Sequence, residues 1–223
     1  MARAQRQQQQ QLTLARTGGW GGRRAGAGRK RIAPRPMVPH VARPKHAASV
    51  PVHLTWRIVA GVRSLRSADV FPCVVAALRD AQRGSFRVVH FSVQDDHLHL
   101  IVEAQHSAAL RSGVQGLGIR LARSINRAVG RSGRVLGDRY HARPLRSPRE
   151  VRFALSYVLH NFKKHQRLAA TRLDPCSSAP WFDGFRGVPP ASLEGAPVHA
   201  PHTWLARVGW RRHGLVSPDE APA

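Results

Sequence analysis

The sequence predicts an α+β domain: a single antiparallel sheet with helices on one face, in the order βαββαβ, plus a C-terminal helix that carries a tyrosine. Three observations lead there. Apolar residues alternate with polar ones at 52–58, 86–94 and 97–104, the period of half-buried strands. Apolar residues recur at three- and four-residue spacing at 70–83, 108–129 and 147–165, the period of amphipathic helices. The 223 residues suffice for one domain of ordinary size with tails.

The elements follow in order. Val52, Leu54, Trp56 and Ile58 alternate with His53, Thr55 and Arg57, giving the first strand an apolar and a polar face. Val74, Leu78 and Ala81 share one face of a helix over 70–83, with Asp69 placed to cap it. The strand over 86–94 sets Val89, Phe91 and Val93 against His90, Ser92 and Gln94. Asp95 and Asp96 make a tight turn, and 97–104 returns to complete a hairpin. Leu110, Val114, Leu117, Leu121 and Ile125 mark a long helix over 108–129, with Gly116 and Gly118 at a point where it could break. A strand is expected over 135–145. Ser147 then caps the last helix, Pro148 suits its first turn, and Glu150 closes a capping box, so the helix is expected to run to about His165. This is the ferredoxin-like, split βαβ arrangement.

Residues 1–46 read as a disordered basic tail, 47–172 as the domain, and 173–223 as an extension rich in Pro and Trp. The tail joins a glutamine run (7–11), Gly/Arg-rich sequence (18–31) and four prolines, with no acidic residue. It has too little apolar surface to offset the entropy of ordering. In the extension, Trp181, Phe182, Phe185, Trp204 and Trp210 point to a wrap packed on the domain, with a short helix over 203–213.

Lys and Arg number 36 against 12 Asp and Glu, a formal net charge of +24. Such an imbalance favours a polyanionic partner, nucleic acid first. No apolar run approaches the roughly 20 residues that span a bilayer, and no signal-peptide segment is evident. Cys73 and Cys176 have no metal-ligand spacing and read as free thiols in a reducing cytoplasm.

Alternation places His97 and His99 on one strand face and Leu98, Leu100 and Val102 on the other. Two imidazoles about 7 Å apart along a strand can converge on one metal ion. The same pair would also suit ordinary surface or structural histidines. In the last helix Val151, Leu155, Val158 and Phe162 form the buried stripe. Tyr157 and Asn161 lie about 110° around the axis from it, one turn apart on the same side. Such a tyrosine is either a boundary residue or a reactive one. A phenol is a poor nucleophile at neutral pH, and a divalent ion polarising the target phosphate lowers the demand on it.

The run HFSVQDDHLHLIVEA (90–104) resembles the His-hydrophobe-His strand of HUH endonucleases. REVRFALSYVLHNFKKH (149–165) resembles the tyrosine helix of their single-tyrosine branch, and GDRYHARPL (137–145) its basic segment before that helix. The resemblance is to transposases of the insertion sequence 200 type, especially REP-associated tyrosine transposases, and covers about residues 50–170. It implies Tyr157 as nucleophile and His97, His99 and Asn161 as ligands of Mg²⁺ or Mn²⁺. Imidazoles suit Mn²⁺ better. Phe162 stands where the family often has Pro. The implied activity is cleavage and rejoining of single-stranded DNA, hairpin-forming in kind, through a 5′-phosphotyrosine. The setting is a bacterial cytoplasm, with the protein on the nucleoid as monomer or homodimer and no membrane involved. A domesticated relative that binds structured single strands without cutting them is the alternative. A two-histidine phosphodiesterase using water and a non-enzymatic RNA-binding role stand behind it.

Arg120, Arg123, Arg127 and Arg131 recur along the second helix, and Arg139 and Arg143 alternate with His141 on the strand that follows. With only Asp138 to balance them between residues 104 and 145, they are expected to contact phosphates. Stacking of a base on Trp56 or Tyr140 is a further option, with buried packing favoured for Trp56.

Overall fold

A computed structural model describes residues 43–166 and 173–222, which fall in one compact unit running from Met37 to Ala223. Its strands are β1 (Val52–Arg57), β2 (Phe86–Val93), β3 (His97–Ala104) and β4 (His141–Pro144). Its helices are α1 (Phe71–Asp80), α2 (Ser107–Ala128), α3 (Pro148–His160), α4 (Phe162–Gln166) and α5 (Trp204–Arg207). The strands form one sheet in the order β2-β3-β1-β4, each antiparallel to its neighbours. That is the ferredoxin-like topology expected.

One face of the sheet carries Leu54, Trp56, Leu98, Leu100 and Val102, packed against α1 and α2 in the main core. The 22-residue α2 runs unbroken through its glycines. They serve close packing: a Cβ on Gly113 would strike the Phe86 ring, and one on Gly118 the Trp56 ring. The opposite face holds a second core. There Ile101 of β3 meets Val151, Leu155 and Val158 of α3, together with Phe182, Phe185 and Trp210 from the C-terminal segment.

That segment also covers the sheet's open edge. Val93 donates to the Cys176 carbonyl, Ser178 to the Phe91 carbonyl and His199 to the Val88 carbonyl, so the segment pairs with the outer edge of β2. Asp174, fully buried, makes a two-pronged ion pair with Arg66 at 2.7 and 2.9 Å. Thr203 caps α5 through the Ala206 N–H, and a short 3₁₀ turn, Gly209–His213, follows.

Several expectations are corrected. Residues 1–42 of the expected tail lie outside the described residues, but 43–46 are held to the domain. Arg43 donates to the Tyr140 carbonyl, and the His46 backbone and ring bond Ser107 and the Ala104 carbonyl. Asp69 does not cap α1. Val70 occupies that place without a side-chain bond, because the Asp69 carboxylate is taken by Arg63 at 2.7 Å. A bulge at Val89 shifts the β2 register, so Val88, not Val89, joins Phe91 and Val93 in the main core. The expected strand over 135–145 shortens to β4. Its register with β1 ends at Thr55↔His141 and resumes two residues displaced, at Ile58↔Leu136. Trp56 Nε1–H bonds the Asp138 carbonyl in the intervening loop. The last helix pauses at Asn161, where the Lys164 N–H reaches back only three residues to the Asn161 carbonyl.

Candidate metal and tyrosine site

His97 and His99 project from β3 on the face opposite the main core, both buried. Their ring centroids are 4.8 Å apart and nearly perpendicular. Each ring is oriented through Nδ1. His97 Nδ1 lies 2.6 Å from an Asp96 carboxylate oxygen. His99 Nδ1 lies 3.2 Å from both Thr55 Oγ1 and His53 Nε2. Partners on Nδ1 orient each ring so that Nε2 is the nitrogen an ion would take. Burial pushes the Asp96 carboxyl up, but the His97 bond and the charges of His97 and Arg57 outweigh it, so it stays below its ordinary value. It is therefore an anion at neutral pH.

Tyr157 reaches this pair from α3. The capping box that starts the helix is complete: Ser147 accepts from the Glu150 N–H, and Glu150 accepts from the Ser147 N–H. The stripe Val151, Leu155, Val158 and Phe162 is buried as its spacing demands. The helix thereby presents Tyr157 at the stripe's edge, with its ring edge-on to His99 at 5.1 Å and to His53 at 5.8 Å. Lys164 Nζ lies 4.8 Å from the same ring. One turn beyond Tyr157, Asn161 is 1 % exposed, and neither its amide oxygen nor its nitrogen has a hydrogen-bond partner among the described residues.

Among the described residues no group of three or more His, Cys, Asp or Glu could hold a metal ion. Residues of another kind could hold an ion here, the two imidazoles together with the unpartnered amide oxygen of Asn161. A buried amide oxygen with nothing to accept from costs about 1–3 kcal/mol, and a cation would satisfy it.

His53 is the residue that sequence reading passed over. Alternation had set it on the polar face of β1, but nothing in one strand shows that its neighbour's register stacks it on His99, at 5.4 Å between centroids. Burial, then the charges of His141 and Arg143, holds its pKa down to about 4, so the ring adds no charge at neutral pH. His90 shares the face but not the site. Its ring is buried against Ser178 and Phe182, and burial lowers its pKa to about 3.

Tyr157 and His53 line an open cleft of about 730 Å³ whose rim carries Arg143, Arg149 and Phe153. Arg143 and Arg149 are exposed. Phe153, four residues before Tyr157, is 50 % exposed, with the Arg149 guanidinium 5.4 Å from its ring centre. Of the arginines expected to bind phosphate, Arg143 alone is brought to this cleft, where it also pairs with Glu150 at 3.6 Å. Arg139 lines a separate basic groove with Arg43, Lys45, Arg111 and Tyr140. Arg120, Arg123 and Arg127 lie on α2, in the layer across the sheet, and Arg131 follows that helix. Trp56 is buried, and Tyr140 lies beneath Arg43.

No family model matches the chain, and no curated protein matches it. Among solved structures the chain is similar to a REP-associated tyrosine transposase bound to a REP hairpin. The TM-score is 0.51 at 15 % identity, over 63 % of this chain and 82 % of that one. The likeness establishes the fold. A protein of Deinococcus radiodurans R1 described as a candidate transposase aligns at 21 % identity over 48 % of this chain and 83 % of its own, with a TM-score of 0.36, too low to argue from. No described helix is long and apolar enough to cross a membrane.

Proposed function

We propose that this protein is a single-strand DNA transposase whose nucleophile is Tyr157. The observation that carries the reading is the meeting of Tyr157 with His99, contributed by two distant elements and brought within ring contact. The buried Asn161 amide one turn away supports it. So does the basic rim of the cleft that Tyr157 lines. The neighbour of the same fold is bound to a REP hairpin, and we extend a hairpin-forming single strand to this chain as its partner.

The reaction is a transesterification. The Tyr157 oxygen attacks a backbone phosphorus, a new P–O(Tyr) bond forms, and the bond from phosphorus to the 3′-oxygen breaks. The phenol loses its proton to solvent, and the departing 3′-oxygen gains one. The 5′ end stays on the protein as a phosphotyrosine, and attack by another 3′-hydroxyl reverses the step. His97, His99 and Asn161 would hold Mn²⁺ or Mg²⁺, which supplies charge stabilisation at the phosphate. Asp96, Thr55 and His53 keep the two imidazoles in place. Arg143 and Arg149 attract the backbone, and Phe153 offers a ring on which a base can stack.

The test is covalent capture. The protein is mixed with hairpin-bearing single-stranded DNA and Mn²⁺ and run on a denaturing gel. A protein–DNA adduct that disappears in Tyr157→Phe is expected. An adduct that survives Tyr157→Phe, or cleavage that leaves no protein on the DNA, refutes the tyrosine mechanism. Hairpin binding without cleavage across varied sequences would favour the non-cleaving binder instead.

A further inference from the structure

Gln94 is a second buried amide on the histidine face, and the reaction as described leaves it without a task. It follows β2 directly and sits across the Asp95–Asp96 turn from His97, donating its N–H to the His97 carbonyl at 2.9 Å. Its side chain turns back along the strand, and Nε2 donates to Ser92 Oγ at 2.8 Å. Ser92 is the cross-strand partner of His99. The amide is therefore pinned by its nitrogen end on the sheet face that carries both imidazoles. Gln94 is 1 % exposed, and Oε1 has no hydrogen-bond partner among the described residues. A structural glutamine in this place would be expected to use its oxygen, since leaving a buried acceptor unsatisfied costs about 1–3 kcal/mol. Asn161 shows the same deficit at the end of α3. Two unpartnered amide oxygens, from elements far apart in sequence, thus accompany the imidazole pair on one face of the sheet.

We propose that Gln94 is a fourth protein ligand of the metal ion, through Oε1, an inference that rests on the metal-dependent reading above. The donor set becomes two imidazole nitrogens and two amide oxygens. Carbonyl oxygens suit the harder divalent ions and imidazoles the softer end of that range, a mixture that favours Mn²⁺ over Mg²⁺. All four donors are neutral, so the ion keeps its full charge for an anionic phosphate.

The experiment is a Mn²⁺ titration of the full chain followed by electron paramagnetic resonance, with thermal melts in the presence and absence of Mn²⁺. Losing even an outer-shell partner costs about tenfold in metal affinity, so Gln94→Leu is expected to weaken Mn²⁺ by at least that factor. Gln94→Glu, which adds a charged oxygen at the same reach, is expected to tighten it. The metal-free Tm of Gln94→Leu should match the wild type, while its Mn²⁺-induced rise shrinks. If Gln94→Leu binds Mn²⁺ like the wild type while His97→Ala does not, the metal site stands and Gln94 is no ligand. A metal-free Tm that falls while Mn²⁺ affinity holds makes Gln94 a packing residue and likewise overturns the proposal. A wild-type chain that binds no Mn²⁺, with or without hairpin DNA, overturns both readings.

Discussion

Replacing Asp174 with alanine should cost the fold about 3–5 kcal/mol, the usual loss when one partner of a buried ion pair is removed. The setting warrants the upper part of that range. The Asp174 side chain is fully buried and that of Arg66 is 10 % exposed, so little water can reach the abandoned guanidinium. Arg66 would keep one acceptor, the Val93 carbonyl at 2.7 Å. The Cys176 N–H, which now bonds an Asp174 oxygen at 3.0 Å, would lose its partner as well. These losses share a network and do not add. Domains of this kind hold about 5–15 kcal/mol in total, so the variant should sit close to unfolding. The assay is urea denaturation followed by far-UV circular dichroism. The double variant Arg66→Met/Asp174→Leu, which removes both charges, should recover most of the loss. A single-variant cost under about 1 kcal/mol, the range of exposed pairs, would refute the idea that this pair anchors the C-terminal segment.

Gly118→Ala should lower stability by about 1–3 kcal/mol, the cost of overpacking, because its Cβ would meet the Trp56 ring and lie 3.0 Å from Leu136; calorimetry would show this as a fall in Tm. Glu220 binds Arg152 and Ser156 on α3; burial pushes its carboxyl up, but these bonds outweigh it and hold the pKa down to about 2. A depressed carboxyl gives stability that is fully present above the unfolded value near 4.5 and is lost as pH falls toward 2. With solvent screening at this partly exposed site the contribution is about 1 kcal/mol, so melts of Glu220→Gln and wild type should differ at pH 7 and converge near pH 2. Phe153→Ala should weaken single-stranded DNA binding by about 1–3 kcal/mol, the worth of one stacked base, with Phe153→Trp restoring it; equal affinities in a fluorescence titration would remove Phe153 from the binding surface.

The strands and helices were legible because their periods are strong, and the capping box of α3 was legible to the residue. What the sequence hid follows from register. The Val89 bulge inserts one residue and reverses which valine faces the core, and no local pattern announces it. The loop after α2 keeps strand-like composition yet leaves the β1 register by two residues, because Trp56 and Asp138 bond across it. At the site, His97, His99, Tyr157 and Asn161 could be named from two motifs. His53 could not, since its role depends on the register of β1 against β3, which neither strand's pattern shows. The arginine stripe on α2 is a different case. Charge and spacing identify a basic face, but only the layer order reveals that it lies across the sheet from Tyr157.

Successive outward residues of β3 show how the C-terminal segment is tied to the face that carries the candidate site. His97 and His99 form the candidate metal pair, Ile101 sits in the second core, and Glu103 accepts the His202 and Thr203 N–H groups at the start of α5. The far end of that face is thus held by the chain's last fifty residues, which also supply Phe182, Phe185 and Trp210 to the core under α3. Arg152 adds bonds from α3 to the Gly214 and Leu215 carbonyls and to Glu220. These contacts fix α3 in both rotation and height. A slip of one residue along a helix turns a side chain by about 100° and moves it about 1.5 Å. Tyr157 would then leave the edge of His99, and Asn161 would leave the same side of the helix. The register that the segment imposes on α3 thus sets whether Tyr157 stays edge-on to His99.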